Sequence, residues 1–321
     1  TNTDTVEIAT GTTLSADSIL NNGTINVNGT GTLQGTGNTL DNNLAINVLA
    51  GGTVADAGNI NNNGANSVAF PGAAGTITFT NGGTLTSGDT INNSGTITVA
   101  ADTVTATGDL ANGHDSAAAG VGAIVGGGVL DLSTGSMTGL GAVTNSGAGS
   151  QIIIGGGQIL DASSVEIASG ATVNNAGTIG SGVTMSGTGT LTNSGTVEGT
   201  LSSTSTGLVN NTGGTINSLG AASDDNTVNG AVTNTGAGSV IVGNLINSSS
   251  GLINNSGGGS ITGDVTSGGL VNNQGGSIAG TVTAGSFDTS GGGTTGTLGV
   301  TDAATHTVTG SSTIGTGTVV G

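Results

Sequence analysis

Val173-Asn174-Asn175-Ala176-Gly177-Thr178-Ile179 is followed by Leu191-Thr192-Asn193-Ser194-Gly195-Thr196-Val197 and by Val209-Asn210-Asn211-Thr212-Gly213-Gly214-Thr215-Ile216. One phrase is written three times: an aliphatic residue, a polar pair ending in Asn, then Gly, Thr and a second aliphatic. It occurs earlier as Ile91-Asn92-Asn93-Ser94-Gly95-Thr96-Ile97, and its opening recurs at Val232-Thr233-Asn234-Thr235, Ile253-Asn254-Asn255-Ser256 and Val271-Asn272-Asn273-Gln274. From Asn175 the marking Asn recurs at 193, 211, 234, 255 and 273, at steps of 18, 18, 23, 21 and 18 residues. A strand-forming repeat of about 20 residues marks a solenoid with one coil per repeat. The expected fold is therefore all-β, a single-stranded parallel β-helix (β-solenoid). At roughly 4.8 Å per rung, the chain makes about 16 rungs and about 75 Å of stack.

The rest of the chain is read outward from that phrase. Thr76-Ile77-Thr78-Phe79-Thr80, Thr96-Ile97-Thr98-Val99, Gln151-Ile152-Ile153-Ile154 and Ser239-Val240-Ile241-Val242 are short, β-branched strand signals. Asn-Gly, Ser-Gly and Gly-Gly separate them as turns. No capped helix of three turns is present, and the only proline, Pro71, fits a corner or an edge. The expectation is one continuous solenoid over 1–321, with looser repeats over 1–112, a Gly/Ala-rich insertion over 113–142 and regular repeats over 143–321. A second local repeat pairs Gly126-Gly127-Gly128-Val129-Leu130-Asp131 with Gly155-Gly156-Gly157-Gln158-Ile159-Leu160-Asp161.

The chain contains no Lys or Arg, against 18 Asp and Glu, for a net charge of -18. Phosphate binding needs cations, so nucleic acid is not expected as a partner, and neither is an anionic membrane surface. No apolar run is long enough for a spanning helix. Three Phe with no Trp or Tyr cannot supply the aromatic girdles of an outer-membrane barrel, so no membrane insertion is expected. The same scarcity of aromatics demands a narrow core of small stacked side chains. Cys is absent, and Thr1 stands where Met would open a new chain, as in a processed secreted protein or a piece trimmed from a longer chain.

Gly-Thr-Leu-Thr-Asn-Ser-Gly-Thr-Val at 189–197, Asn-Asn-Ser-Gly-Thr-Ile-Thr-Val at 92–99 and Asn-Asn-Ala-Gly-Thr-Ile at 174–179 carry a resemblance. They resemble the repeats of filamentous haemagglutinin-like adhesins and autotransporter passengers. The resemblance covers most of the chain, best over 143–285. It implies a right-handed parallel β-helix at the bacterial surface, extracellular and secreted. The complete lack of Lys and Arg departs from that class.

The repeated Asn residues have two readings. Asn93, Asn175, Asn193, Asn211, Asn234, Asn255 and Asn273 would form a structural ladder, bonding rung to rung. Asn22, Asn28, Asn92, Asn210, Asn247 and Asn254 also satisfy the N-glycosylation pattern. No cofactor is required; Ca²⁺ is the ion that Asp131, Asp161, Asp224 and Asp225 would offer oxygen to, the alternative being solvated charge. His114-Asp115-Ser116 contains triad residue types, but neighbours along an extended chain point different ways, and His306 is remote. A lyase of this shape needs a basic residue and a glycoside hydrolase needs aromatic sugar platforms, so no enzyme is expected. Thr76/Thr78/Thr80, Thr103/Thr105/Thr107 and Thr188/Thr190/Thr192 suggest an ice-binding face, but they recur at no constant interval.

Solenoids cap their ends, because an open end offers unpaired backbone and bare apolar stack. Thr5-Val6-Glu7-Ile8 and Gly317-Thr318-Val319-Val320-Gly321 both read as ordinary rung. Val6, Ile8, Val319 and Val320 are thus candidates for a polymer junction. The expected role is a structural subunit of an extracellular fibre or matrix, a homopolymer growing head to tail. The alternative is the stalk of a secreted adhesin that presents a tip to a glycan or host surface.

Overall fold

In a computed structural model the chain is a β-solenoid of parallel coils, about 13 turns in all, with no helix among the described residues. The structure describes all residues except 38, 64–73, 114–126, 169, 204–205, 222–223, 249, 290–291, 293, 301–312 and 315–321. The count falls below the expected value, in part because two rungs are long. Asn62 to Asn93 takes 31 residues and Asn112 to Asn145 takes 33. The neighbouring steps take 19 to 21. Two compact units are present, Thr1–Thr178 and Ile179–Gly321.

Each coil of the first unit has three faces. The first face is built from Thr5–Ile8, Thr24–Val27, Ala45–Val48, Thr76–Phe79, Thr96–Val99, Val129–Leu132, Gln151–Ile154 and Thr172–Asn175. The second begins with Thr13–Ala16, Thr32–Gly35 and Thr53–Asp56, and the third with Ile19–Asn21, Thr39–Asn42 and Asn59–Asn62. Higher up, long strands such as Gly83–Asn93 and Thr103–Asn112 bend across the second and third faces. Side chains alternate, in-out, with period two, and in-register pairing stacks like on like. Ile25, Ile46, Ile77, Ile97, Leu130, Ile152 and Val173 form one buried column; Leu40, Ile60, Ile91, Leu110 and Val143 form another. Phe79 is buried between Val48 and Val99. No row is wider than one side chain, so β-branched residues fill this core without aromatics.

The second unit repeats the plan. Its faces are carried by Val183–Ser186 with Leu201–Ser203, by Thr190–Asn193 with Leu208–Thr212, Ala231–Thr235 and Ile253–Ser256, and by the short pairs Thr196–Val197, Thr215–Ile216, Val240–Ile241 and Ser260–Ile261. Leu191, Val209, Val232, Ile253 and Val271 stack fully buried. At one corner the backbone carbonyl of Gly207 occupies the place a Cβ on Gly230 would need. The corner is that tight, and it admits only Gly.

Candidate functional site

In the first unit, Asn21, Asn42, Asn62, Asn93, Asn112 and Asn145 stand in one inward column at the end of the third face. All six are completely buried, which only full hydrogen bonding makes tolerable. Each Nδ2 donates to the Oδ1 of the next Asn, at 2.7–2.8 Å from Asn21 through Asn112. Its second N–H goes to a backbone carbonyl of the next rung: Asn21 to Ala45, Asn42 to Thr76, Asn62 to Thr96, Asn93 to Val129. Asn2 joins from below, donating to Asn21 Oδ1 at 2.9 Å. Above Asn145 the position is taken by Ile167, and the ladder stops.

Asn175 is therefore not a member of the Asn93 ladder. It pairs with Ile154, which pairs with Leu132, on the first face rather than the third. The same phrase thus marks two different corners of the coil. In the second unit, Asn193, Asn211, Asn234, Asn255 and Asn273 form an inward ladder of their own, each Nδ2 donating to the next Oδ1 at 2.7–2.8 Å.

Beside these ladders the first unit carries further amide rows, part-buried. Asn63 donates to Asn43 and Asn43 to Asn22; Asn92 donates to Asn61 and Asn61 to Asp41; Asn47 donates to Asn26. Asn26 and Asn28 donate to the Glu7 carboxylate, and these bonds, that of Asn26 first, hold its pKa below the usual value. Among the glycosylation-pattern residues, Asn247 is fully buried, and the Nδ2 atoms of Asn28 and Asn92 are already engaged.

The carboxylates read as ion ligands are dispersed. Asp131 lies on the first face and accepts from Ser133 N, whereas Asp161 lies on the strand Ile159–Ala168. Asp224 accepts from Ala221 N, and Asp225 from Asn244. Among the described residues no three His, Cys, Asp or Glu side chains gather as a metal site. Pro71, His114, Asp115, Ser116, His306, Val319 and Val320 lie outside the described residues.

Asp56 is the one acidic side chain buried among the described residues, at 3% exposure. Its Oδ1 accepts from Gly58 N at 2.7 Å, and its Oδ2 has no hydrogen-bond partner. The space for Oδ2 exists because residue 35 is Gly, where a Cβ would come within 1.7 Å of it. Burial, and then the charge of Asp41, raise the pKa of Asp56, partly offset by the Gly58 bond. A carboxyl whose pKa is raised on folding adds stability below its unfolded value and loses it as pH rises through the folded one. Asp56→Asn removes the buried charge and is thus expected to stabilise the chain at pH 7 by about 1 kcal/mol, and to bring no gain at about pH 3, where the carboxyl is already neutral. Denaturant unfolding at the two pH values measures both.

A further row escapes the sequence. Thr13, Thr32, Thr53, Thr84, Thr105 and Thr138 stack in register on the second face, one per rung for six rungs. Thr86 stands beside Thr107 two residues along. The threonines do recur at every rung here. The two long rungs conceal the regularity from a count of residues.

The first coil carries three strands. Thr5–Ile8, Thr13–Ala16 and Ile19–Asn21 each pair with one parallel strand of the coil above, among the described residues. Val6 and Leu14, aligned with the inward columns of Ile25 and Leu33, line a hollow of about 260 Å³ together with Ala16, Ile19 and Ile25. Leu14 is 38% exposed. Ile8, a junction candidate by sequence, is buried, as is Ile19; Leu14, which is exposed, was not singled out by the sequence. No protein-family model, no curated protein and no solved structure matches this chain.

Proposed function

We propose that this chain is a structural subunit of an extracellular bacterial fibre or matrix, assembling head to tail through its end coils. The supporting observation is the hollow lined by Val6, Leu14 and Ile19, bordered by three strands with one neighbour each. A further coil set on this end completes three parallel ladders and covers the bare aliphatic columns, the same interactions that join successive coils inside the chain. No chemistry on a substrate is involved. Placement outside a bacterial cell follows the resemblance to haemagglutinin-like and autotransporter repeats. In an adhesin stalk, the alternative, the same end would meet further coils of one long chain.

Sedimentation velocity over a concentration series tests the assembly. The wild-type chain is expected to form polymers. The double variant Val6→Asp, Leu14→Asp is expected to remain monomeric, because it sets two carboxylates in the apolar opening and leaves the interior untouched. A wild-type chain that stayed monomeric at every concentration would defeat the proposal. If such a monomer reshaped growing ice crystals, the six-threonine face would become the better reading.

A further inference from the structure

We infer that protons regulate the assembly: the chain repels its own copies at neutral pH and associates, on a firmer coil, in mild acid. The inference rests on the assembly proposed above and names the signal that controls it.

The charge of the chain is one-sided. Eighteen Asp and Glu stand against no Lys or Arg, and apart from the α-amino group only His114 and His306 can become positive. At pH 7 the net charge is -18, and no Lys or Arg of one copy can answer the carboxylates of another. The fold spreads those carboxylates around the coil. Glu7 and Asp131 lie on the first face and Asp41 and Glu166 on the third. In the second unit Asp225 and Asp264 flank Asn244. None of these six is buried.

Acid removes this charge without replacing it. A protein rich in Lys and Arg becomes strongly positive below the carboxylate range, and self-repulsion then loosens it. Here eighteen negative charges are lost and two histidines gained, so the chain approaches neutrality, the condition that favours association.

Asp56 ties the coil to the same signal. Its Oδ2 is buried without a partner, in the space left by Gly35. Ser87, in register with it on the next rung, cannot donate, because its Oγ–H goes to Gly58 O at 2.7 Å. Thr32–Gly35 and Asn59–Asn62 bring no titratable side chain. Asp41 on Thr39–Asn42 and Asp89 on Gly83–Asn93 bring only further negative charge. An ionised Asp56 thus faces no cation, and a proton is what relieves it. Its contribution to stability is full below the ordinary carboxylate value and is lost as pH rises through the higher folded one. Glu7 works the other way: Asn26 and Asn28 favour its ionised form, so its contribution fades as pH falls. Glu7 is open to solvent, which leaves the buried Asp56 dominant.

Sedimentation velocity and electron microscopy of the full chain, at about pH 4 and about pH 7, test the inference. Fibres are expected at a concentration about tenfold lower at the acid pH. Added NaCl should lower the threshold at neutral pH by screening and change it little in acid. The denaturant midpoint should be higher in acid, and Asp56→Asn should narrow that difference. With fibres present at neutral pH, equal thresholds, amorphous precipitate or unfolding in acid, or a difference left whole by Asp56→Asn, would each overturn the inference and leave the filament standing. A chain monomeric at both pH values fails the assembly proposal and this inference together.

Discussion

Asn62→Ala is expected to cost about 3 kcal/mol of unfolding free energy, read as a lower denaturant midpoint. Asn62 donates to Asn93 Oδ1 at 2.8 Å and to Thr96 O at 3.0 Å, and accepts from Asn42 at 2.8 Å. Three bonds are lost, at about 1 kcal/mol each, in a place where water cannot replace them. The truncation also leaves space between fully buried side chains, which pushes the loss upward. Asn47→Ala is the matched control. Asn47 belongs to an outward row, half exposed, and donates to Asn26 at 2.8 Å. Solvent can take over that bond, so its loss is expected to stay below about 1 kcal/mol. Equal losses at the two positions would mean that the inward ladder is not what stabilises the coil.

Gly230→Ala is expected to destabilise by a similar amount, about 3 kcal/mol, for an unrelated reason. A Cβ at 230 would lie 1.8 Å from the carbonyl oxygen of Gly207 and 2.9 Å from its carbonyl carbon. The obstacle is backbone of the adjoining coil, so no rotamer change relieves it. The coil spacing itself must yield, and with it the parallel bonds on either side. At Gly156 an added Cβ meets nothing within 4 Å. Gly156→Ala should leave stability unchanged or raise it by up to about 1 kcal/mol, through the lower entropy of the unfolded chain. The pair separates glycine required for close approach from glycine that merely occupies a turn.

The coil was legible because its demands are local. An inward aliphatic, an inward Asn and a tight Gly recur whenever the chain rounds a corner, as at Leu191-Thr192-Asn193 followed by Gly195. Which corner is being rounded was not legible. Val143-Thr144-Asn145 and Val173-Asn174-Asn175 carry the same pattern, yet Asn145 closes the third face and Asn175 the first. Two corners with the same packing requirement select the same residues, so the phrase alone cannot tell them apart. Length misleads in the same way. Rungs that grow to 31 and 33 residues keep their register, because pairing is fixed by the strands and not by the chain between them. The threonine row from Thr13 to Thr138 was hidden for that reason. Asp56 was not foreseen because nothing local distinguishes it from a surface Asp. Only the stacked neighbour Gly35 creates its pocket.

Fibre diffraction from the aligned, polymerised chain tests the central claim most directly. Head-to-tail stacking of coils predicts a spacing of about 4.8 Å along the fibre axis, continuous from one subunit into the next. Separate short particles at every concentration, or fibres in which that spacing runs across the axis, would contradict it.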